Sequence, residues 1–236
     1  MTTAAPTSPA AVAEPEARSS LTLSDHAYER LRADILDGHY PAGSKLAIHS
    51  LRERYQIGAS PLREALNRLT ADGFVSLIGQ RGFRVTPVSL SDLRDVTRLR
   101  VFFETEALRD SIAFGDDSWE AGVVAAFHRL SKIDSTRYQD MATWEARNAD
   151  FHDALVAACP SPRLLQFRQN LYDQHKRYRS LSTNSMVGAR DIPQEHREMM
   201  ELALARDADR ACELVARHIR DTAERLEAKL AEKEEP

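Results

Sequence analysis

The sequence predicts a mostly α-helical chain in two parts: an N-terminal three-helix unit closed by a β-hairpin, and a C-terminal all-α helical bundle. Three observations carry this expectation. Apolar residues recur at helical spacing from Ser24 onward. The one stretch with strand texture, Phe74 to Val85, is split by Gly79 to Gly82. After Pro87 almost no strand signal remains and long amphipathic patterns take over, which marks a second unit. At 236 residues and 42% hydrophobic content, the chain can build two modest cores.

Residues 1–20 are mostly Ala, Pro, Thr, Ser and Glu without apolar period, a composition that cannot offset the entropy of ordering, and they predict a disordered tail. From Ser24, Ala27, Leu31, Ile35 and Leu36 share one helical face until Gly38 stops it. A second helix is expected from Ile48 to Tyr55. A third opens at Ser60 with Pro61 in its first turn, after a link of only Gln56 to Ala59. Leu62, Leu66 and Leu69 fall on one face of that third helix, which leaves Arg63, Asn67 and Arg68 elsewhere on its surface. Gly73 ends it, and Phe74 to Ile78 and Phe83 to Val85 read as the two strands of a wing. The whole of 21–87 is expected to form a winged helix-turn-helix. The remainder, 88–236, is expected as helices near 90–114, 117–134, 140–159, 162–182, 192–205 and 207–232.

The net charge of −4 argues against uniform coating of a polyanion, but the charge is unevenly placed. Between residues 48 and 84 six arginines face three acidic residues, so a locally basic segment is joined to an acidic body. Cys159 and Cys212 sit in apolar helical patterns without paired spacing and read as core packing. No apolar run reaches about 18 residues and no signal peptide is evident, so no membrane contact and a cytoplasmic location are expected.

A short helix that ends in a tight turn and presents the N-terminus of a second helix fits a major groove, although an ordinary helical hairpin shares that pattern. The run ASPLREALNRLTADGFVSLIGQRGFRV, Ala59 to Val85, closely resembles the recognition helix and wing of GntR-family regulators. The resemblance implies a DNA-binding transcription regulator, a repressor acting as a homodimer on a pseudo-palindromic operator. It implies that Ser60 and Arg63 meet DNA and that Gln80, Arg81 and Gly82 approach the minor groove. The chemistry agrees: Ser60 can cap the helix or touch a phosphate, Arg63 can reach a guanine edge, and Gly82 permits close backbone approach. Asn67 joins this set on the same helix, and His49 sits where some relatives carry a backbone-contacting arginine. Where relatives commonly have a base-contacting arginine, this chain has Ala59, which implies an altered operator. Glu64 is expected to orient a neighbouring arginine or turn inward.

The second unit resembles the FadR C-terminal ligand-binding (FCD) domain. The words LRVFFETEAL (Leu99–Leu108), NADFHDAL (Asn148–Leu155), EHREMMELALARD (Glu195–Asp207) and ARHI (Ala216–Ile219) select its metal-binding branch. Asn148 and His152, four apart, lie one turn from each other on a helix and make a workable clip. The resemblance adds His196 and His218 to complete a divalent-metal site; His26, His39, His128 and His175 lack such company. Zinc is the default for such ligation, with nickel and manganese as alternatives. Three imidazoles and an amide leave a cation uncompensated, so the site should recruit a small organic acid, held by Arg100. Arg100 is equally placed to pair with Glu104 at i,i+4. Two other readings stand beside this one: a metal-dependent hydrolase or lyase, which lacks an evident acid–base pair, and a purely structural metal.

Overall fold

The computed structural model describes residues 22–79, 82–133, 140–180 and 190–234. The expected disordered tail, 1–20, lies outside them. The head comprises α1 (Leu23–Leu36), β1 (Lys45–Leu46), α2 (Ile48–Tyr55), α3 (Ala59–Ala71), β2 (Val75–Ile78) and β3 (Gly82–Val85). β3 is the central strand, antiparallel to β2 with Ser76 opposite Arg84, and to β1 with Lys45 opposite Arg84. β1 was not expected: two residues are too short for any periodic signal, and pairing to β3 alone defines the strand. Ala27, Leu31, Leu62, Ala65, Leu66, Leu69 and Val85, each 0% exposed, form a core built only from residues before Thr86.

The bundle follows with α4 (Leu90–Phe114), α5 (Asp117–Ser131), α6 (Met141–Leu155), α7 (Pro162–Ser180), α8 (Ile192–Leu204) and α9 (Ala208–Glu234). Its core joins Ala107, Val123, Leu130, Phe151, Ala203 and Ala211. Both cysteines are buried free thiols, as expected. α6 stops at Leu155, short of the expected 159. The Trp119 indole donates to the Ala154 carbonyl at 3.0 Å and the Ala158 N–H donates to Ser111 Oγ at 2.7 Å, so side chains replace the helical ladder just before Pro160.

Caps separate the helices into two kinds. Thr22, Ser89, Asp116, Asp140 and Asp191 each accept a bond from a first-turn N–H and close the starts of α1, α4, α5, α6 and α8. α2 and α3 start at Ala47 and Gly58, and among the described residues no side chain caps their first N–H groups.

One helix joins the two units. α7 donates from Asn170 and Gln174 to the Asp72 carbonyl at 3.1 and 3.0 Å, pairs Asp173 with Arg32, and donates from Arg177 to the Thr86 carbonyl. The helix C-terminus that meets it requires Gly73: its φ is +83°, and an added Cβ would lie 3.1 Å from Gln174 Nε2.

Candidate functional site

Three helices of the bundle deliver the histidines. α6 presents Asn148 and His152, α8 presents His196 and α9 presents His218, and all four residues are buried. The ligand-capable atoms of the three histidines lie within 4.8 Å of one another. Phe151, 0% exposed, packs its ring 5.4 Å from His196 and 5.7 Å from His152 and so fixes the floor.

Hydrogen bonds decide which atoms remain for a ligand. His218 Nδ1 donates to Glu195 at 2.7 Å, and Arg190 grips that carboxylate through two bonds of 2.5 Å, which leaves the Nε2 lone pair. Asn148 Nδ2 donates to Tyr172 Oη at 3.0 Å, while Oδ1 is buried with no partner among the described residues. Neither ring nitrogen of His152 has a hydrogen-bond partner among the described residues. Burial pushes His152 well below the usual histidine range, reinforced by the neighbouring His218 and His196. Burial also lowers His218, although Glu195 opposes it. Against burial, His218 and Arg190 hold the Glu195 carboxyl down to about 2. Three imidazoles and an amide oxygen brought together from three helices suit a divalent cation.

Around this cluster lies a polar cage that spacing alone did not reveal. Arg100, Arg168 and Arg179 stand over the Tyr172 ring at 4.7, 5.1 and 5.3 Å from its centroid. Two of these arginines are neutralised by forked pairs, Arg168 with Glu104 at 2.8 to 3.1 Å and Arg179 with Glu145 at 2.9 and 3.1 Å. Arg100 is not: its nearest approach to Glu104 is 3.9 Å, its Nε has no hydrogen-bond partner among the described residues, and its Nη1 lies 2.8 Å from His175 Nδ1. The i,i+4 pair is therefore loose, because Arg168 holds Glu104. Burial pushes Arg100 down to about 10 despite Glu104. Arg100, Asn148, His152, His218, Arg179 and Trp144 line a chamber of about 20 Å³, room for roughly one water. The missed signal was legible in principle: Arg168, Tyr172, His175 and Arg179 recur at helical spacing and form a polar stripe that faces inward.

In the head, Ser60, Arg63 and Asn67 are exposed on α3, as expected. Gly82 opens β3, while Gln80 and Arg81 lie outside the described residues. His49 is exposed and 3.6 Å from Glu53. Two expectations need correction. Ser60 is not the cap of α3, because Gly58 holds that place without a side-chain bond. Glu64 faces solvent and does not turn inward. Arg68, by contrast, is structural: it pairs with Asp25 at 2.7 Å over the Tyr28 ring. Arg84, one of the six arginines of the basic segment, lies adjacent across the sheet to Lys45, and both are exposed; Lys45 is a cation that the sequence reading did not single out.

This combination, an uncapped recognition-type helix with a wing on a helical bundle, defines a class of DNA-binding regulators. The profile described as bacterial regulatory proteins, gntR family, matches residues 23–85, and that of the FCD domain matches residues 95–221. The chain belongs to the GntR family, in the branch that carries an FCD domain, and is a DNA-binding transcription regulator rather than an enzyme. It is 45% identical over 202 residues to the uncharacterized HTH-type transcriptional regulator BphR of Paraburkholderia xenovorans, covering 84% of this chain and 82% of that protein. It is 36% identical to the HTH-type transcriptional repressor GlaR of Escherichia coli, over 81% of this chain and 90% of the relative. Among solved structures, E. coli McbR/YncC superposes with a TM-score of 0.77 at 17% identity, over 89% of this chain and all of that one, a likeness of fold. No helix among the described residues is long and apolar enough to cross a membrane.

Proposed function

We propose that this regulator is a cytoplasmic, ligand-responsive repressor whose bundle binds a divalent ion and a carboxylate metabolite. The observation that carries the reading is the buried chamber lined by Asn148 and His152, whose Oδ1 and ring nitrogens have no hydrogen-bond partner among the described residues. Each such orphan costs about 1–3 kcal/mol unless something fills its lone pair. Asn148, His152, His196 and His218 would hold the ion. Zinc suits three imidazoles, with nickel and manganese as alternatives. A bound ion supplies positive charge to a site whose own four donors are neutral. Arg100, the one of the three arginines on Tyr172 without a close carboxylate, would take the metabolite's carboxylate.

On the DNA side, Ser60, Arg63 and Asn67 read the major groove, His49 meets the backbone, and Gln80, Arg81 and Gly82 enter the minor groove. The open N–H groups at the start of α3 support phosphate contact there. A second copy is supported by exposed apolar surface: Phe102 and Phe167, 58% and 56% exposed, flank Phe103 at ring distances of 5.4 and 5.7 Å. The chain's two units are residues 21–87 and 88–236.

The deciding experiment measures metal per chain by elemental analysis, then operator affinity by fluorescence anisotropy with and without a panel of organic acids. The expected result is about one ion per chain, lost in His196→Ala, and an operator affinity that acids shift only when metal is present. A purely structural ion would instead lower the melting temperature on removal while acids leave DNA binding unaltered.

A further inference from the structure

The chamber beside the histidines is too small for an organic acid, yet a much larger cavity adjoins it. A cleft of about 590 Å³ opens between the head and the bundle. One wall is the end of α1 and the turn beyond it, Leu36, Asp37 and His39; the others are Met141, Ala142, Glu145 and Ala146 of α6 and Lys176, Arg179 and Ser180 of α7. Its volume is that of ordinary small-molecule sites. Arg179 lines both the cleft and the inner chamber, and its partner Glu145 lines the cleft, so the forked Arg179–Glu145 pair is the partition between them.

We propose that this interdomain cleft is the outer half of the effector site and that Glu145 occupies the seat of the effector's carboxylate. The ligand class is a carboxylic acid with a short aliphatic body. Its carboxylate displaces Glu145 from Arg179 and reaches Arg100, and its body lies along Leu36, Met141, Ala142 and Ala146. Three features support this assignment. Glu145 stays ionised despite burial because Arg179 and Lys176 face it, so Arg179 already holds a carboxylate in the geometry an acid would adopt. Leu36, Met141, Ala142 and Ala146 give the cleft an apolar lining beside that pair. Leu36 to His39 belong to the head, so a ligand in the cleft touches the DNA-binding unit directly, and differential contact of this kind is what shifts a conformational equilibrium.

This inference rests on the reading of the inner chamber as an anion-accepting metal site, and its test separates the two. Full-length, metal-loaded protein is titrated by calorimetry with azide and with straight-chain monocarboxylates from acetate to octanoate. Wild type should gain affinity by about three- to fourfold per methylene until the cleft is filled. Ala146→Trp, at an exposed cleft position, should remove that gain while azide binds as before, and Glu145→Gln should tighten every acid severalfold by removing the internal competitor. Should Ala146→Trp fail to fold, Ala142→Trp blocks the same face. Affinity independent of chain length, or full binding of the longer acids to the Trp variant, overturns the cleft assignment. Azide binding without acid binding overturns it too while leaving the metal site standing; binding of neither overturns both.

Discussion

Tyr172→Phe removes one oxygen and tests whether Asn148 is oriented for a cation. In the structure the Tyr172 hydroxyl accepts the Asn148 Nδ2–H at 3.0 Å, at a position where both residues are buried. That bond is what assigns Oδ1, rather than the amide nitrogen, to the lone-pair role. Phenylalanine keeps the ring under Arg100, Arg168 and Arg179 and keeps the packing against His152 at 6.0 Å, so the perturbation is confined to the hydroxyl, which Arg179 also bonds. A buried amide donor left without its partner costs about 1–3 kcal/mol, and the amide then gains by rotating Nδ2 toward another acceptor. Loss of such a supporting bond weakens metal binding by about 10–100-fold. The assay is competition for zinc against a fluorescent chelator, with thermal melting in the chelated state as the control for folding. Tyr172→Phe should lose at least tenfold in zinc affinity and melt somewhat lower without metal. Zinc affinity within twofold of wild type would refute the argument that this hydroxyl sets the amide.

Three further outcomes are expected. Arg63→Ala, exposed on α3, should abolish discrimination between operator and random duplex while the circular dichroism spectrum is unchanged; anisotropy against both duplexes decides it. Gly115→Ala should destabilise the bundle by about 1–3 kcal/mol in urea unfolding, because the new Cβ would sit 2.3 Å from the Trp119 ring and 2.7 Å from the Ser111 carbonyl. Glu145 has its pKa lowered in the fold from 4.5, where burial is outweighed by Arg179. Its pair therefore stabilises fully above that pH and is lost as pH falls below it. Melting curves from pH 6 to pH 3 should accordingly fall less steeply for Glu145→Gln than for wild type, once normalised at neutral pH.

The head was largely legible because its physics is local. Gly38, Pro61 and Gly73 punctuate it, and period alone places Leu62, Leu66 and Leu69 inward. Asn148 and His152 were legible as a pair for the same reason, one helical turn. His196 and His218 are not local to them, and only packing of α8 and α9 against α6 brings the rings together; resemblance supplied what spacing lacked. The cage failed to show for a different reason. A run as polar as Arg168 to Arg179 ordinarily means a solvated face, and here it is buried on account of carboxylates contributed by α4 and α6. The fate of Arg100 could not be read either, since Glu104 was claimed by a residue 64 positions away.

α7 carries that cage on one side and the join to the head on the other, and nearly all its buried residues are polar: Arg168, Asp173, His175, Arg177 and Arg179, with Tyr172 and Tyr178. Apolar surfaces slide past one another with little change in energy, whereas directional bonds hold at one setting and are lost between settings. The seat of the head on the bundle is thus notched rather than greased. Such a joint resists small jostling, and when it gives way it moves by a whole step, which suits an on–off control better than a graded one.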